Sequence, residues 1–403
     1  MFTILSNKMN IFEYYKDIFL QSIKHINIDE KLKSKISVET PKQKTFGDIS
    51  FNAPLVLSSI LKKDPLILAE EFKNLIVKNN NDFDKIEITK PGFINFTFKK
   101  KTLLNFLGKI KNNFGFSNNK NSKKINIEFV SANPTGPLHI GHCRGAIYGD
   151  VLSNLLKYCG HNVSKEYYIN DYGNQITLFL KSIYFRAVEI VKKKKFPEDQ
   201  GLYPGTYIID ITKEILKKIN IDDYDNFEDA KITLGSIAID LAMNLIKNDL
   251  NIMGIKHDIF TSESAIVREN ILSKAINKLK DKGAIYKGVL PKPKGEIEDW
   301  EPREQLLFKA TNYGDDVDRA LQKSDNTWTY FANDIAYHYH KLNREYDHYI
   351  NILGADHAGY IKRLSSAVSA LNNKKKFEIK ISQIVKLYKG GKPYRMSKRA
   401  GDF

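Results

Sequence analysis

Ser131-Ala132-Asn133-Pro134-Thr135-Gly136-Pro137-Leu138-His139-Ile140-Gly141-His142 is the stretch on which the fold turns. Before it, residues 125–130 (Ile-Asn-Ile-Glu-Phe-Val) read as a strand. After it, a helix beginning near Ile140 sets Ile147, Val151, Leu152, Leu155 and Leu156 on one apolar face and stops at Gly160, a natural left-handed cap. Residues 163–169 then read as a second strand. Strand, loop, helix and strand make a βαβ unit, which predicts parallel pairing in an α/β sheet. A loop that leaves a strand and opens a helix presents unpaired N–H groups and a partial positive charge, a good match for phosphate. His139 and His142 are three apart, so they share a face of the first turn. Gly141 leaves room for a base to lie against the backbone. Neither a Gly-x-Gly-x-x-Gly loop nor a P-loop is present. Two solvated turn histidines, or a zinc pair, are the competing readings. Zinc needs a third ligand, and none stands at useful spacing, so no metal site is expected.

Working outward, apolar strand-like segments return at 349–354 and 379–385 around a helix at 361–371. The irregular stretch between them and the βαβ unit, about 187–325, reads as an insertion that splits the sheet, with helices near 229–250 and 269–282. Upstream, helical patterns cover 11–26 and 52–61, and Asp64-Pro65 opens another helix with Pro in its first turn. Pro91-Gly92 breaks the chain before residues 94–98, which alternate with period two. Residues 112–124 are rich in Asn, Ser, Gly and Lys. The expected organisation is a small α+β N-terminal domain at 1–122 and a Rossmann-like α/β domain at 123–403.

Length and composition bound the rest. The 403 residues suffice for two to four domains, and 42% hydrophobic with 27% charged residues excludes a disordered chain. Lys and Arg outnumber Asp and Glu by 63 to 47, a formal charge of +16, which makes polyanions plausible partners. Cys143 and Cys159 are too few for a disulfide scaffold and fit a reducing cytoplasm. No apolar run approaches the roughly 18 residues of a membrane span, so no membrane partner is expected. The opening residues are too short for a signal segment, and Met9 is an alternative start.

The long loop resembles the HIGH signature of class I aminoacyl-tRNA synthetases, and in this extended form that of the arginyl enzymes. Phe46-Gly47-Asp48 and Pro91-Gly92-Phe93-Ile94-Asn95-Phe96 resemble that family's N-terminal domain, which contacts the tRNA. Further stretches similar to the family follow in order: residues 169–176, Tyr203-Pro204-Gly205-Thr206-Tyr207, Asp315-Asp316-Val317-Asp318-Arg319, residues 330–338 and Gly354-Ala355-Asp356-His357. Near the end, Arg395-Met396-Ser397-Lys398-Arg399 resembles the second class I signature, usually Lys-Met-Ser-Lys-Ser, with Arg at its first and last positions. The family continues into a helical anticodon-binding domain that this chain lacks, so a fragment or a truncated, non-charging paralogue is the alternative expectation. Among other class I enzymes, a cysteine enzyme needs zinc ligands, and a glutamate enzyme should meet its amino acid with cations.

The resemblance implies attack of the arginine carboxylate on the ATP α-phosphate, giving arginyl-adenylate, followed by transfer to the tRNA 3′ end. Such chemistry needs positioning and charge neutralisation rather than a protein nucleophile. It implies a phosphate-stabilising set of His139, His142 and Lys398. Pro137, Gly141, Met396 and Ser397 complete the ATP site, with Mg²⁺ bridging phosphates. It implies an arginine pocket of Glu128 and Asp334 on the guanidinium, Tyr330 beside them, and Ser131, Asn133, His142 and His357 around the α-amino and carboxylate end. Asp171 and Gln175 would shape the pocket. Lys99–Lys101, Lys192–Lys195 and Lys374–Lys376 are candidate tRNA contacts, each competing with the reading of a solvated face. A cytoplasmic monomer is expected.

Overall fold

The computed structural model describes residues 10–110, 116, 121–197, 201–291 and 302–394. They fall into two compact units, Met1–Ser117 and Asn118–Phe403.

In the first unit, Asn10 caps α1 (Ile11–Ser22) by accepting from two first-turn N–H groups. The short α2 (Glu30–Lys33), β1 (Val38–Glu39) and β2 (Ile49–Phe51) follow. Then come α3 (Ala53–Leu61), α4 (Pro65–Asn79), β3 (Phe83–Thr89), β4 (Phe93–Phe98) and α5 (Lys100–Leu107). The four strands form an antiparallel sheet in the order β1-β2-β4-β3. Aromatic side chains fill its core, with Phe19 stacked on Phe96 at 4.5 Å. Gly47 has φ +101°, and an added Cβ would stand 2.7 Å from the Phe96 carbonyl oxygen. The next residue, Asp48, accepts the Phe98 N–H at 2.8 Å. Phe46-Gly47-Asp48 is thus a clasp on β4.

The second unit runs β5 (Lys124–Glu128), α6 (Ile140–Tyr158), β6 (Asn162–Ile169), α7 (Asn174–Lys192), α8 (Thr206–Leu216) and α9 (Phe227–Ile252). It continues with β7 (Ile259–Ser262), α10 (Glu263–Arg268), α11 (Ile271–Asp281), β8 (Ile285–Gly288), β9 (Gln305–Phe308) and β10 (Arg319–Ala320). It closes with α12 (Tyr330–Leu342), β11 (His348–Gly354), α13 (Ile361–Leu371), β12 (Lys376–Ser382), and a hairpin of β13 (Leu387–Lys389) and β14 (Lys392–Tyr394). The main sheet is parallel throughout, in the order β12-β11-β5-β6-β7. The chain builds outward from β5 through β6 and β7, then returns to add β11 and β12 on β5's other side. The direction reverses between β5 and β11, where α/β sheets place their ligand crevice.

Four expectations are corrected. Residues 187–325 are not one insertion, because β7 pairs with β6 from Glu166↔Ile259 to Ile169↔Ser262 and belongs to the main sheet. Two excursions flank it: the helical layer α7–α9, and the antiparallel β10-β9-β8 sheet. A four-residue strand carries too few residues to show a period. Next, α6 does not bury its apolar face: Ile147, Val151 and Leu155 are 52%, 58% and 58% exposed, while Ala146, Gly149 and Ser153 are buried. The helix lies so close to the sheet that a Cβ on Gly149 would fall 2.1 Å from the Phe129 ring, so small volume selects that face. Only Leu152 and Leu156 of the expected five pack on the core. Lastly, β5 ends at Glu128 rather than at residue 130, because Val130 and Ser131 take φ of +70° and +43°. The last main-sheet strand also comes earlier, at Lys376–Ser382 rather than 379–385.

Candidate active site

A cleft of about 820 Å³ opens at the carboxyl ends of β5, β11 and β12. That is a nucleotide-sized space. Val130 to Asn133, His139 and His142 line one side, and Ile352 to His357 and Ser382 to Val385 the other.

The signature loop is held from beneath by long-range bonds. Tyr167 of β6 donates to the Ala132 carbonyl at 2.6 Å, and Tyr207 of α8 to the Thr135 carbonyl at 2.9 Å. Asp249 of α9 accepts the Leu138 N–H at 2.9 Å. Pro137 is half-buried in this loop. At its end the two histidines make a capping box. His139 Nδ1 accepts the Gly141 N–H at 3.1 Å, and His142 Nδ1 accepts the His139 N–H at 3.1 Å. Their rings stack at 3.8 Å. With Nδ1 accepting in both, each neutral ring carries its proton on Nε2. Asn133 donates to the Gln175 side chain, so these two cleft residues are joined.

Behind Ser131 lies a second, drier region. Glu128 is 6% exposed, and both its oxygens are engaged: Oε2 by Lys341 Nζ at 2.6 Å and Tyr337 at 2.7 Å, Oε1 by Ser131 Oγ at 3.2 Å. Glu166, fully buried, takes both oxygens of its carboxylate to Arg344 at 2.8 and 2.7 Å and accepts from Thr261 at 2.7 Å. Although burial opposes its charge, Lys341 and Arg344 hold its pKa down at about 2.

Asp334 and Glu263 have a different environment. Asp334 accepts from Tyr360, and Glu263 from Asn333 at 3.5 Å. Neither forms an ion pair among the described residues. Burial pushes the Asp334 pKa up to about 6, with the Glu128 charge adding to the effect. Burial, then the charges of Asp334 and Asp171, push Glu263 to about 7. The Tyr168 ring lies within the fields of all four acids, Glu263, Asp334, Glu128 and Asp171, so they form one cluster.

The residues expected at the site are thus placed unequally. Ser131, Asn133, His139, Gly141, His142 and His357 line the cleft. His357 is exposed and pairs with Asp356 at 3.4 Å. Glu128 and Asp334 belong to the acid cluster. Tyr330 is not brought against it: it is 76% exposed at the first residue of α12, with the Lys323 ammonium 5.9 Å from its ring. Asp171 accepts from Ser262, and from both the N–H and the hydroxyl of Ser264, which fixes the turn that presents Glu263. Met396, Ser397 and Lys398 lie outside the described residues. Glu263 escaped the sequence reading. Its one signal is Ser262-Glu263, a serine cap followed by a first-turn acid, and most such acids face water. The lysine runs are partly occupied: Lys192 pairs with Asp222 at 3.2 Å, and Lys375 donates to the Tyr346 carbonyl at 2.6 Å.

A parallel sheet with a nucleotide-sized cleft at its reversal point, entered by a histidine-capped helix, is the layout of a class I aminoacyl-tRNA synthetase. Family comparison agrees: residues 105–402 match "tRNA synthetases class I (R), catalytic domain", and 13–98 match "Arginyl tRNA synthetase N terminal domain". An arginine--tRNA ligase of Pelagibacter ubique is 51% identical over 98% of this chain and 70% of its own length. One from Anaplasma phagocytophilum is 42% identical over 98% and 69%. A solved arginyl-tRNA synthetase structure from Campylobacter jejuni superposes with TM-score 0.60 at 36% identity, covering 71% of this chain and 60% of that one. The Thermus thermophilus enzyme shares the fold at TM-score 0.59 and 18% identity, over 93% and 66% of the two chains. The chain belongs to the arginyl-tRNA synthetase family. It spans about 70% of the curated relatives' length and 60% to 66% of these solved structures.

Proposed function

We propose that this chain is an arginine--tRNA ligase that joins arginine to ATP in the described cleft, as arginyl-adenylate, and passes it to the 3′ end of its tRNA in translation. The observation that supports this reading most strongly is the pair Asp334 and Glu263. They are two carboxylates, Glu263 buried and Asp334 half-buried, raised in pKa, with no ion-pair partner among the described residues, beside a nucleotide-sized cleft. A planar cation with several donors is the ligand that relieves such a pair. Lysine, a compact point charge with no planar donor fork, relieves it less well.

In this reading the arginine guanidinium enters between Asp334 and Glu263. Ser131, Asn133 and His357 hold the α-amino and carboxylate end at the mouth of the cleft. The carboxylate attacks the α-phosphate, and pyrophosphate leaves. The Nε2–H groups of His139 and His142 donate to the phosphate oxygens as charge develops, and Lys398 adds its cation from the second signature. The Gly141 backbone receives the adenine, and Pro137, Met396 and Ser397 flank the nucleotide. The described lining holds one carboxylate, Asp356, already paired with His357, which is no cage for a divalent ion. Mg²⁺ therefore accompanies the triphosphate, neutralising its charge. The setting is the cytoplasm. No described helix is long and apolar enough to cross a membrane.

The test is a thermal-shift series with non-hydrolysable aminoacyl-adenylate analogues carrying arginine, lysine or glutamate. The expected result is stabilisation by the arginine analogue alone. Equal shifts with all three, or none with any, overturn the reading.

A further inference from the structure

An arginine of the chain itself stands close to Asp334. Arg363, in the first turn of α13, is half-buried. Its positive charge favours the ionised form of two carboxyl groups, Asp315 and Asp334. Asp315 is already taken: Arg319 grips both its oxygens, at 2.7 and 2.8 Å. Asp334 has a hydroxyl partner but no ion pair among the described residues. A planar guanidinium beside such a carboxylate readily closes into a two-point ion pair. Closure here would fill the acid with the chain's own side chain.

Tyr360 touches both groups, with different parts of its side chain. Its hydroxyl donates to Asp334 Oδ2. Its ring carries the Arg363 guanidinium, 5.0 Å from the centroid. Phe331, edge-on to Tyr360 at 6.4 Å and 87°, gives the same guanidinium a second aromatic neighbour at 5.9 Å. An aromatic face attracts a guanidinium through the ring quadrupole but accepts little from the N–H groups in its plane. Arg363 Nε is buried and has no hydrogen-bond partner among the described residues. A buried donor left unpaired is costly, so Arg363 keeps a drive toward an acceptor, and Asp334 is one. Tyr360 also ends a short 3-10 helix, Ala355–Tyr360, whose opening residues line the cleft and include His357. That helix carries a cleft wall at one end and the hold on Asp334 at the other.

We infer that Tyr360 is a positioning residue: its ring seats the Arg363 guanidinium while its hydroxyl holds Asp334, so that the acid meets the guanidinium of the substrate and not that of the chain. The inference rests on the site reading above, in which Asp334 receives the arginine side chain. Its signature is a loss confined to arginine that disappears when the internal rival is removed.

The experiment is a double-mutant cycle with Tyr360→Leu, Arg363→Gln and the combination, read by calorimetric affinity for arginine and for ATP, well below each variant's melting temperature. Tyr360→Leu removes both the hydroxyl and the aromatic seat. It should weaken arginine about tenfold or more, as when a charge-assisted pair is given up to a competitor, with ATP affinity within about twofold of the parent. Arg363→Gln should bind arginine at least as well as the parent, and the combination should regain most of the loss. Tyr360→Phe, which keeps the ring and drops the hydroxyl, should fall between the parent and Tyr360→Leu. Where Tyr360→Leu does not fold, Tyr360→Phe with and without Arg363→Gln decides by the same comparison. The inference is overturned if the combination binds arginine no better than Tyr360→Leu, or if Arg363→Gln by itself weakens arginine as much. It is equally overturned if Tyr360→Leu weakens ATP and arginine alike, the mark of a damaged cleft wall, or binds both as the parent does. Failure of the parent chain to bind either ligand, or an Asp334→Asn variant that binds arginine as the parent does, would instead sink the site reading on which it stands.

Discussion

Two pairs of carboxylates, all buried except the half-buried Asp334, stand within one site, and they are treated in opposite ways. Glu128 and Glu166 are each matched by an internal cation, Lys341 and Arg344, and their charges are locked in. Asp334 and Glu263 have only hydroxyl and amide partners among the described residues, and burial drives both toward the protonated form. The first pair is complete without a ligand. The second forms no ion pair among the described residues. A matched pair builds a rigid floor, and an unmatched pair favours a cationic ligand.

The contrast can be broken most severely at Asp334. Asp334→Asn should weaken arginine binding by about a hundredfold, since a charge-assisted bond in a dry site is lost, while ATP affinity changes little; calorimetry with each ligand separately decides it. Removing the cation from the matched pair should act on stability instead. Arg344→Met leaves Glu166 short of its strongest partner and should cost roughly 2–3 kcal/mol in chemical denaturation, with arginine affinity nearly unchanged. Glu263→Gln should cost about tenfold in arginine affinity, less than Asp334→Asn, because Glu263 already holds its proton near neutrality. The pH dependence separates the pairs without mutation. Both unmatched acids have raised pKa values, so the ligand-free chain gains stability from them at low pH and loses it as pH rises through about 6 and 7. Arginine must displace the retained protons, so its affinity should fall roughly tenfold per pH unit between about 7 and 6, where one acid is protonated, and roughly a hundredfold per unit below about 6, where both are. Proton release on binding, measured in buffers of different ionisation enthalpy, reads this directly. The smallest effect belongs to the exposed side of α6: Val151→Glu should shift stability by no more than about 0.5 kcal/mol, whereas Gly149→Ala drives a methyl into Phe129.

What could be read from the sequence was whatever local chemistry signals. The start of α4 at Pro65 and the end of α6 before Gly160 follow from residues that only suit those places. The nucleotide loop was legible because phosphate binding is a backbone device with a compact spelling. The sheet-facing side of α6 was not, since the contact selects small volume and the apolar count points the other way. Glu263 and Lys341 were not legible for a different reason. Each is an ordinary charged residue near or in a helix, and its meaning comes from partners remote in sequence, 70 residues away for Glu263 and 213 for Lys341. A hint was available on α12, where Asp334, Tyr337 and Lys341 follow at helical spacing, but the same pattern also describes a solvated face.

The central strand β5 gains its second neighbour late. It pairs with β6 almost at once, but β11 comes from far along the chain, and the bond that anchors its start, Asp347 to Lys124, spans 223 residues. While the chain is being synthesised, β5 is therefore an open edge, with the unpaired N–H and C=O groups of Ile125 to Glu128 on display for as long as the intervening residues take to emerge. Closing so long a loop is slow compared with local helix formation. Nascent chains of this protein accordingly pass through a stage prone to intermolecular strand pairing, and holdase chaperones should engage them most strongly before α12 and β11 are made.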